Sequence, residues 1–340
     1  MLRRCRPALL AAVALVATAC SLQRLAVDRL GDALAASGTT FSSDDDPQLV
    51  REALPFSLKL IESILAESPN HEGLLVAASS GFTQYAFAFV QQDADRMEEE
   101  SLEAAQATRG RARRLYLRAR DYGLRALEVR HPGVGAALAG DPEGALRATG
   151  RDEVPALYWT AASWGAAISL AKDDPDLVAD LPVVQALIDR ALALDEGWNH
   201  GSIHSFLINY EPARPGAGPA GYERATEHFD RALVLTERKL ASPYVAWAES
   251  VAVPTQDLEG FRNALETAIA IDPAAKPEWR LENLISQDRA AWLLERTTDL
   301  FLDAEEPEEE EPGEEAEEPE EPPPSAASLT DLFLIRPAVD

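Results

Sequence analysis

The sequence predicts an all-α fold built from tetratricopeptide-like helix-pair repeats, an α-solenoid, followed by a disordered acidic C-terminal tail. Three observations predict it. Most apolar positions recur at intervals of three and four, the spacing of a helix with one buried face, and few segments read as strands. One helix-end pattern comes back five times. Beyond Leu302 the composition turns to "EEPEEEEPGEEAEEPEEPPPSAAS", which cannot bury enough apolar surface to offset the entropy of ordering the chain.

The chain has 340 residues, of which 46% are apolar, enough for one large domain or two small ones with a sizeable core. Its formal charge of −27 is unevenly spread: Asp303 to Glu321 holds thirteen acidic residues and no Lys or Arg. The remaining acidity argues against a nucleic acid as partner, because that binding is driven by basic side chains displacing counterions.

The N-terminus, "MLRRCRPALLAAVALVATAC", places Arg3, Arg4 and Arg6 before an apolar run from Ala8 to Val16 and a small-residue end. Residues 1–19 therefore read as an export signal, too short to span a bilayer in a mature protein. Ala17-Thr18-Ala19 suits ordinary signal peptidase, whereas Cys20 directly after small residues suits a lipoprotein signal, with Ala17 where Leu is usual. Cysteine usage favours the second reading. Cys5 lies in the discarded segment and Cys20 is alone, so the exported domain can form no internal disulfide, and a lone Cys at a processing site is best explained as a lipid attachment point. Membrane lipid, reached through acylated Cys20, is then one partner. Ser21 rather than Asp after Cys20 fits an outer-membrane address in a Gram-negative cell.

Residues 20–46 form an anchor segment and leading helix, and 47–302 the repeat domain. "PQLVREALPFSLKLIESILAESP" keeps a helical period apart from Pro55 and stops at Ser68-Pro69. Its end, "ESILAESP" (62–69), is echoed by "LRALEVRHP" (124–132), "DRALALDEG" (189–197), "DRALVLTER" (230–238) and "ETAIAIDP" (266–273). With Ala126, Ala191, Ala232 and Ala268 taken as equivalent, the separations are 65, 41 and 36 positions. The last two approach the tetratricopeptide period of about 34 residues, and the first is near twice it. In such repeats the first helix carries a Gly for close approach, and a mid-helix Gly costs about 1 kcal/mol without such a reason. Gly81, Gly165 and Gly201 fill this role, which puts Gln84, Ile168 and His204 in one register on the inner face.

Between these elements, Asp93 to Glu103 is acidic and Arg109 to Arg130 contains eight arginines, an arrangement expected to pair along a hairpin more than to bind an anion. "EGWNHGSIHSFLINY" (196–210) sets His200 and His204 four apart, a two-ligand spacing that His228 or Glu211 could complete. The metalloprotease pattern needs Glu beside the first His, and Gly201 stands there, so no metal site is assigned. In the tail segment 303–340, "LTDLFLIRP" reads equally as a docking motif or a sticky end.

"FTQYAFAFVQQDADR" (82–96), "YWTAASWGAAISLAKDDPDL" (158–177), "DEGWNHGSIHSFLINYEPARPG" (195–216), "HFDRALVLTERKLASPYVAWAESVAVPTQD" (228–257) and "RLENLISQDRAAWLL" (280–294) occur in order and together resemble the T components associated with TRAP transporters, the TatT lipoproteins. The resemblance runs from Ser37 to Phe301 and leaves out the acidic tail. It implies a periplasmic lipoprotein of cryptic tetratricopeptide-like repeats that self-associates, as a trimer, and docks a solute-binding P component whose ligand passes to a membrane permease. It also carries across a ligand or partner cleft of Tyr85, Phe89, Tyr158, Trp159, Trp164, Trp198, Asn199, Gly201, His204, Tyr244, Glu249 and Asn283.

Aromatics in repeat proteins more often fill the helix-pair core than line a ligand wall. Asn199, Glu249 and Asn283 stand out more, since a buried polar side chain is either bonded within turns or faces a cleft. With no nucleophile-base set, phosphate loop or metal signature, the chain is expected to be no enzyme, to need no cofactor, and to be a binding scaffold in small-molecule uptake. The alternatives are an envelope-organising outer-membrane lipoprotein and a metal-dependent hydrolase using His200 and His204.

Overall fold

A computed structural model describes residues 38–302 together with Arg29 and residues 31–33. The expected export signal 1–19, the acylation site Cys20 and the acidic tail 303–340 lie outside the described residues. Among the described residues every regular element is helical.

After a short helix Gly38–Ser42, ten principal helices, with shorter ones such as Val134–Leu138 and Pro175–Val178 between them, build the domain among the described residues: α1 (Pro47–Glu67), α2 (Glu72–Met97), α3 (Leu102–Arg130), α4 (Val154–Ser169), α5 (Leu181–Leu194), α6 (Ser202–Tyr210), α7 (Gly218–Leu235), α8 (starting Ser242–Trp247), α9 (Leu258–Ala270) and α10 (Arg280–Glu295). Local chemistry sets their starts. Asp46, Ser101 and Asp257 each accept a backbone N–H of the first turn through a side-chain oxygen, at 3.0, 3.2 and 2.9 Å, satisfying a donor that the helix itself leaves unpaired. Two helices widen into π turns, α2 at Ala86–Gln91 and α8 at Ala248–Ala252, before continuing.

All five recurring end patterns do terminate a helix, namely α1, α3, α5, α7 and α9. Ala126, Ala191, Ala232 and Ala268 are almost wholly buried. A methyl at that point lets the neighbouring helix approach, and the aliphatic beside it fills the space.

Each helix packs on the next one in sequence, and α2, α4, α6, α8 and α10 also touch in succession. One apolar core is shared by α1 to α6 and a second by α7 to α10, while Leu281 and Ile285 of α10 pack against the first. The last helix therefore returns to the beginning of the array, where α10 meets Gly38–Ser42 and α1. Ion pairs fasten it to the end of α2: Arg289 to Asp95 at 3.1 Å, Asp288 to Arg96 at 2.6 Å, and Arg296 to Glu99. Arg289, Arg296 and Arg96 gather over the Trp292 ring at 4.3, 4.9 and 5.8 Å from its centroid.

The expected pairing of the acidic segment with the arginines of α3 is realised at Arg109, which bonds Asp95 and Glu98. Other arginines of α3 reach elsewhere: Arg118 to Glu62, Arg130 to Glu72 and Glu153, and Arg125 to the Pro69 carbonyl.

The glycine register is corrected at its third member. Gly81 and Gly165 do lie inside α2 and α4, and a Cβ on Gly81 would stand 2.7 Å from Leu58 Cδ2. Gly201 is not in a helix interior. It precedes α6 with φ +87°, behind Asn199 and His200 at φ 45° and 57°, so three successive residues sit in the left-handed region and the chain turns there. Gln84 is exposed while Ile168 and His204 are buried, so the three positions share no common face.

Candidate functional site

The left-handed turn before α6 fixes where its side chains go. Asn199, exposed, donates from Nδ2 to Ser202 Oγ at 2.7 Å, and Ser202 Oγ donates to the Asn199 carbonyl at 2.9 Å, closing the turn on itself. His200 and His204 do not share a helix face. The His200 ring meets the Trp279 ring edge-on, centroids 5.1 Å apart, whereas His204 turns toward α7 and sets its Nδ1 2.9 Å from Nδ1 of His228.

That histidine pair is half of a polar cluster between α6 and α7. Glu196 Oε2 lies 3.5 Å from His204 Nε2 and Glu211 Oε1 3.9 Å from His228 Nε2. Arg231 pairs with Glu196 at 2.6 Å, and the buried Glu211 takes Arg214 and Arg224 at 2.7 and 2.6 Å. Arg214 in turn grips Asp189 with two parallel bonds of 3.0 and 2.6 Å. Burial, with the His228 ring second, pushes His204 down to about 4, and burial also lowers His228. Both imidazoles are neutral at pH 7, so the contact is an N–H···N bond in which one ring donates and the other accepts. Among the described residues no group of three or more His, Cys, Asp or Glu side chains is arranged to hold a metal ion.

The aromatic residues divide into separate places. Tyr85 precedes the π turn of α2 and Phe89 lies within it, with ring centroids 5.8 Å apart, under the guanidinium groups of Arg111 and Arg51 respectively. Trp164 is buried and donates Nε1–H to Asp180 at 3.2 Å, with Arg120 over its ring. Tyr244 meets Phe229 edge-on in the second core. Tyr158, Trp159 and Trp198 come together: Tyr158 lies 4.8 Å from each of the other two ring centroids, and Phe206 completes the group at 6.4 Å.

The remaining polar residues do different work. Glu249 accepts from Arg289 at 2.6 Å beside Asp95. Asn283, with no exposed surface, accepts the Ala241 N–H at 2.8 Å and donates to the Lys239 carbonyl at 3.1 Å. It thereby ties the turn between α7 and α8, where Glu237 and Arg238 take positive φ.

The residue before Asn283 was not singled out in the sequence. Glu282, in the first turn of α10, accepts from Ser242 Oγ at 2.6 Å. Its side chain is otherwise exposed. Burial first, and the Glu282 charge second, raise the hydroxyl of Tyr158. The sequence signal that could have found Glu282 is a carboxylate one position from a buried Asn, with no basic residue nearby on its own helix face.

A family model described as TRAP transporter T-component matches residues 43–301, which is the described helical domain from α1 to the end of α10 and beyond to Phe301. An uncharacterized protein of Treponema pallidum (strain Nichols) is 31% identical over 307 residues, covering 85% of this chain and 95% of its own length.

Proposed function

Because the chain belongs to the TRAP transporter T-component family, we propose that it is a lipid-anchored periplasmic scaffold that docks the system's solute-binding P component and assists uptake of a small molecule. The observation that carries this is the extent of the match, which takes in the whole helical domain rather than one motif.

Three features support the finer parts of the reading. The succession of contacts among α2, α4, α6, α8 and α10, with α3, α5, α7 and α9 between them, supports reading the domain as a tetratricopeptide-like array, in which the inner helices would offer one continuous surface to a partner. The sequence pattern of an export signal at 1–19, followed directly by Cys20, supports attachment to the outer membrane by acylation, with the domain facing the periplasm. The aromatic group of Tyr158, Trp159, Trp198 and Phe206, beside the polar turn at Asn199, suits transient contact with solute better than it suits chemistry. Assembly as a trimer belongs to the same reading.

Uptake in cells tests it. Deleting the gene should abolish accumulation of the solute carried by the associated transporter. The wild-type gene should restore it, while Cys20→Ser should leave the protein unanchored and transport impaired. Uptake unchanged by the deletion would remove the proposed role.

A further inference from the structure

The eight arginines of α3 fall into two sets. Arg109, Arg113, Arg120 and Arg130 each reach a carboxylate: Asp95 and Glu98, Asp174, Asp121, and Glu72 with Glu153 respectively. Arg111, Arg114, Arg118 and Arg125 are exposed and stand at intervals of three, four and seven, which places them on one solvent face of the helix over about 21 Å. Among the described residues Arg111 and Arg114 have no carboxylate partner, Arg125 holds the Pro69 carbonyl at 2.8 Å, and Arg118 reaches one carboxylate, Glu62, which Lys59 already pairs. Asp121, on the same side, is taken by Arg120. The face is therefore basic.

Three of its guanidinium groups are set on rings: Arg111 lies 5.7 Å from the Tyr85 centroid, Arg118 5.3 Å from Phe82 and Arg125 5.3 Å from Tyr122. A ring beneath the planar group limits its rotamers and leaves N–H edges free, so little freedom is lost when those edges bind an acid. Position in the chain decides which acid. Asp32 lies 3.4 Å from His71 Nε2, and a Cβ on Gly31 would stand 2.9 Å from Leu74 Cδ1, so the described start of the chain runs against the start of α2. Arg125 holds the turn just before it, at Pro69. Gly31 is eleven positions after Cys20, at most about 40 Å of chain however it runs, so an acylated Cys20 keeps the Arg125 end of α3 close to the bilayer. The net charge of −27 does not prevent contact there, because at physiological salt exposed charges are screened beyond about 8 Å.

We infer that Arg111, Arg114, Arg118 and Arg125 form a docking face for the anionic phospholipid surface that holds the anchor, with their guanidinium groups bonding headgroup phosphates and laying α3 along the bilayer. The inference rests on the reading of the chain as lipid-anchored, and it adds the orientation that an anchor alone leaves open.

The test is co-sedimentation of the full chain carrying Cys20→Ser, so that no acyl chain contributes, with vesicles of phosphatidylcholine alone and with vesicles of about one-third phosphatidylglycerol. Binding should be saturable on the anionic vesicles, at least about tenfold weaker on the neutral ones, and lost as salt rises from about 0.05 to about 0.5 M. Adding Arg111→Gln and Arg114→Gln, which break no carboxylate pair, should weaken anionic binding about tenfold and keep the dichroism of the parent. Arg147→Gln with Arg262→Gln, the same loss of charge at exposed positions elsewhere, should leave binding unchanged. Equal loss in the two double variants would overturn the inference. So would equal binding to the two vesicles, or anionic binding indifferent to salt, and these two comparisons need no substitution on the face. If the Arg111 and Arg114 variant dissociates oligomers or releases the solute-binding component while vesicle binding is unchanged, the face belongs to a protein partner and the inference falls. Membrane fractionation of wild-type cells separates this face from the anchor. A wild type held by lipid whose Cys20→Ser form ignores anionic vesicles removes the face and keeps the anchor; vesicle binding with no lipid on Cys20 keeps the face and removes the anchor.

Discussion

Asn283→Ala removes one side chain that holds the turn between α7 and α8 from the inside. Asn283 is fully buried and makes two bonds to that turn, 2.8 Å from the Ala241 N–H and 3.1 Å to the Lys239 carbonyl. Ala241 has no exposed surface, so its N–H would be left without water as well as without Asn283. A stranded buried backbone donor costs about 1–3 kcal/mol, and the Lys239 carbonyl, which can turn to solvent, adds less, so the expected loss is about 2–4 kcal/mol. For a domain of this size that corresponds to roughly 5–15 °C in Tm. Asn283→Asp keeps an acceptor for Ala241 but sets a carboxylate oxygen against the Lys239 carbonyl, and should fall at least as far. Thermal and urea unfolding followed by dichroism at neutral pH measure both variants. A midpoint within about 1–2 °C of wild type for Asn283→Ala would show that the turn does not depend on these bonds, and that Asn283 faces a cleft as its motif position also allowed.

Three further outcomes are expected. The His204 contribution to stability should fall as pH drops from about 6.5 to about 4. The folded His204 stays neutral where the unfolded one binds a proton, so the slope of unfolding free energy with pH is positive in that window, and the His228 shift adds in the same direction. The facing groups Glu196, Arg231, Glu211 and Arg214 move with the pair, the His204 part amounts to about 1–3 kcal/mol after screening, and His204→Asn should flatten the curve; urea midpoints at each pH that run parallel in wild type and variant would refute this. Gly201→Ala puts a Cβ 2.8 Å from Leu235 Cδ1 at φ +87° and should lower stability by about 1–3 kcal/mol in urea unfolding, whereas Gly165→Ala, with its nearest atom at 3.4 Å, should cost less. Arg289→Met leaves Asp95 and Glu249 without their shared base at the seam between α2 and α10 and should cost about 1–3 kcal/mol by the same assay, an effect that shrinks in wild type against variant as salt is raised.

The helix ends were legible because they are local. An Ala and an aliphatic before a polar turn report the burial of the last turn, and all five such ends close a helix. The break at Asn199–His200–Gly201 was not. Glycine inside an apolar run reads equally as close packing within a helix or as a left-handed turn, and only the approach of Leu235 on α7 distinguishes them. From that one misplacement His204 was assigned to an open inner face, whereas it is buried against His228. The π turns in α2 and α8 have no sequence marker either. Asn283 was recognised as either turn-bonded or cleft-facing, and the structure bonds it to the turn. Glu282 was passed over because an acidic residue in a first helical turn is the ordinary complement of the helix dipole. Its bond to Ser242 joins positions 40 apart in the chain. The seam that joins α10 to α2 links residues 192 apart, Arg96 and Asp288, and no local pattern announces it.

Direct association with the solute-binding component tests the central claim most closely. Purified full chain, held at fixed concentration in detergent, is titrated with the P component of the same transporter and followed by sedimentation velocity. The account predicts a saturable complex of defined stoichiometry that forms equally with Cys20→Ser, since the anchor locates the protein and does not dock the partner. Two unassociated species at every ratio tested, up to concentrations of about a hundred micromolar, the weak end of specific recognition, would contradict it.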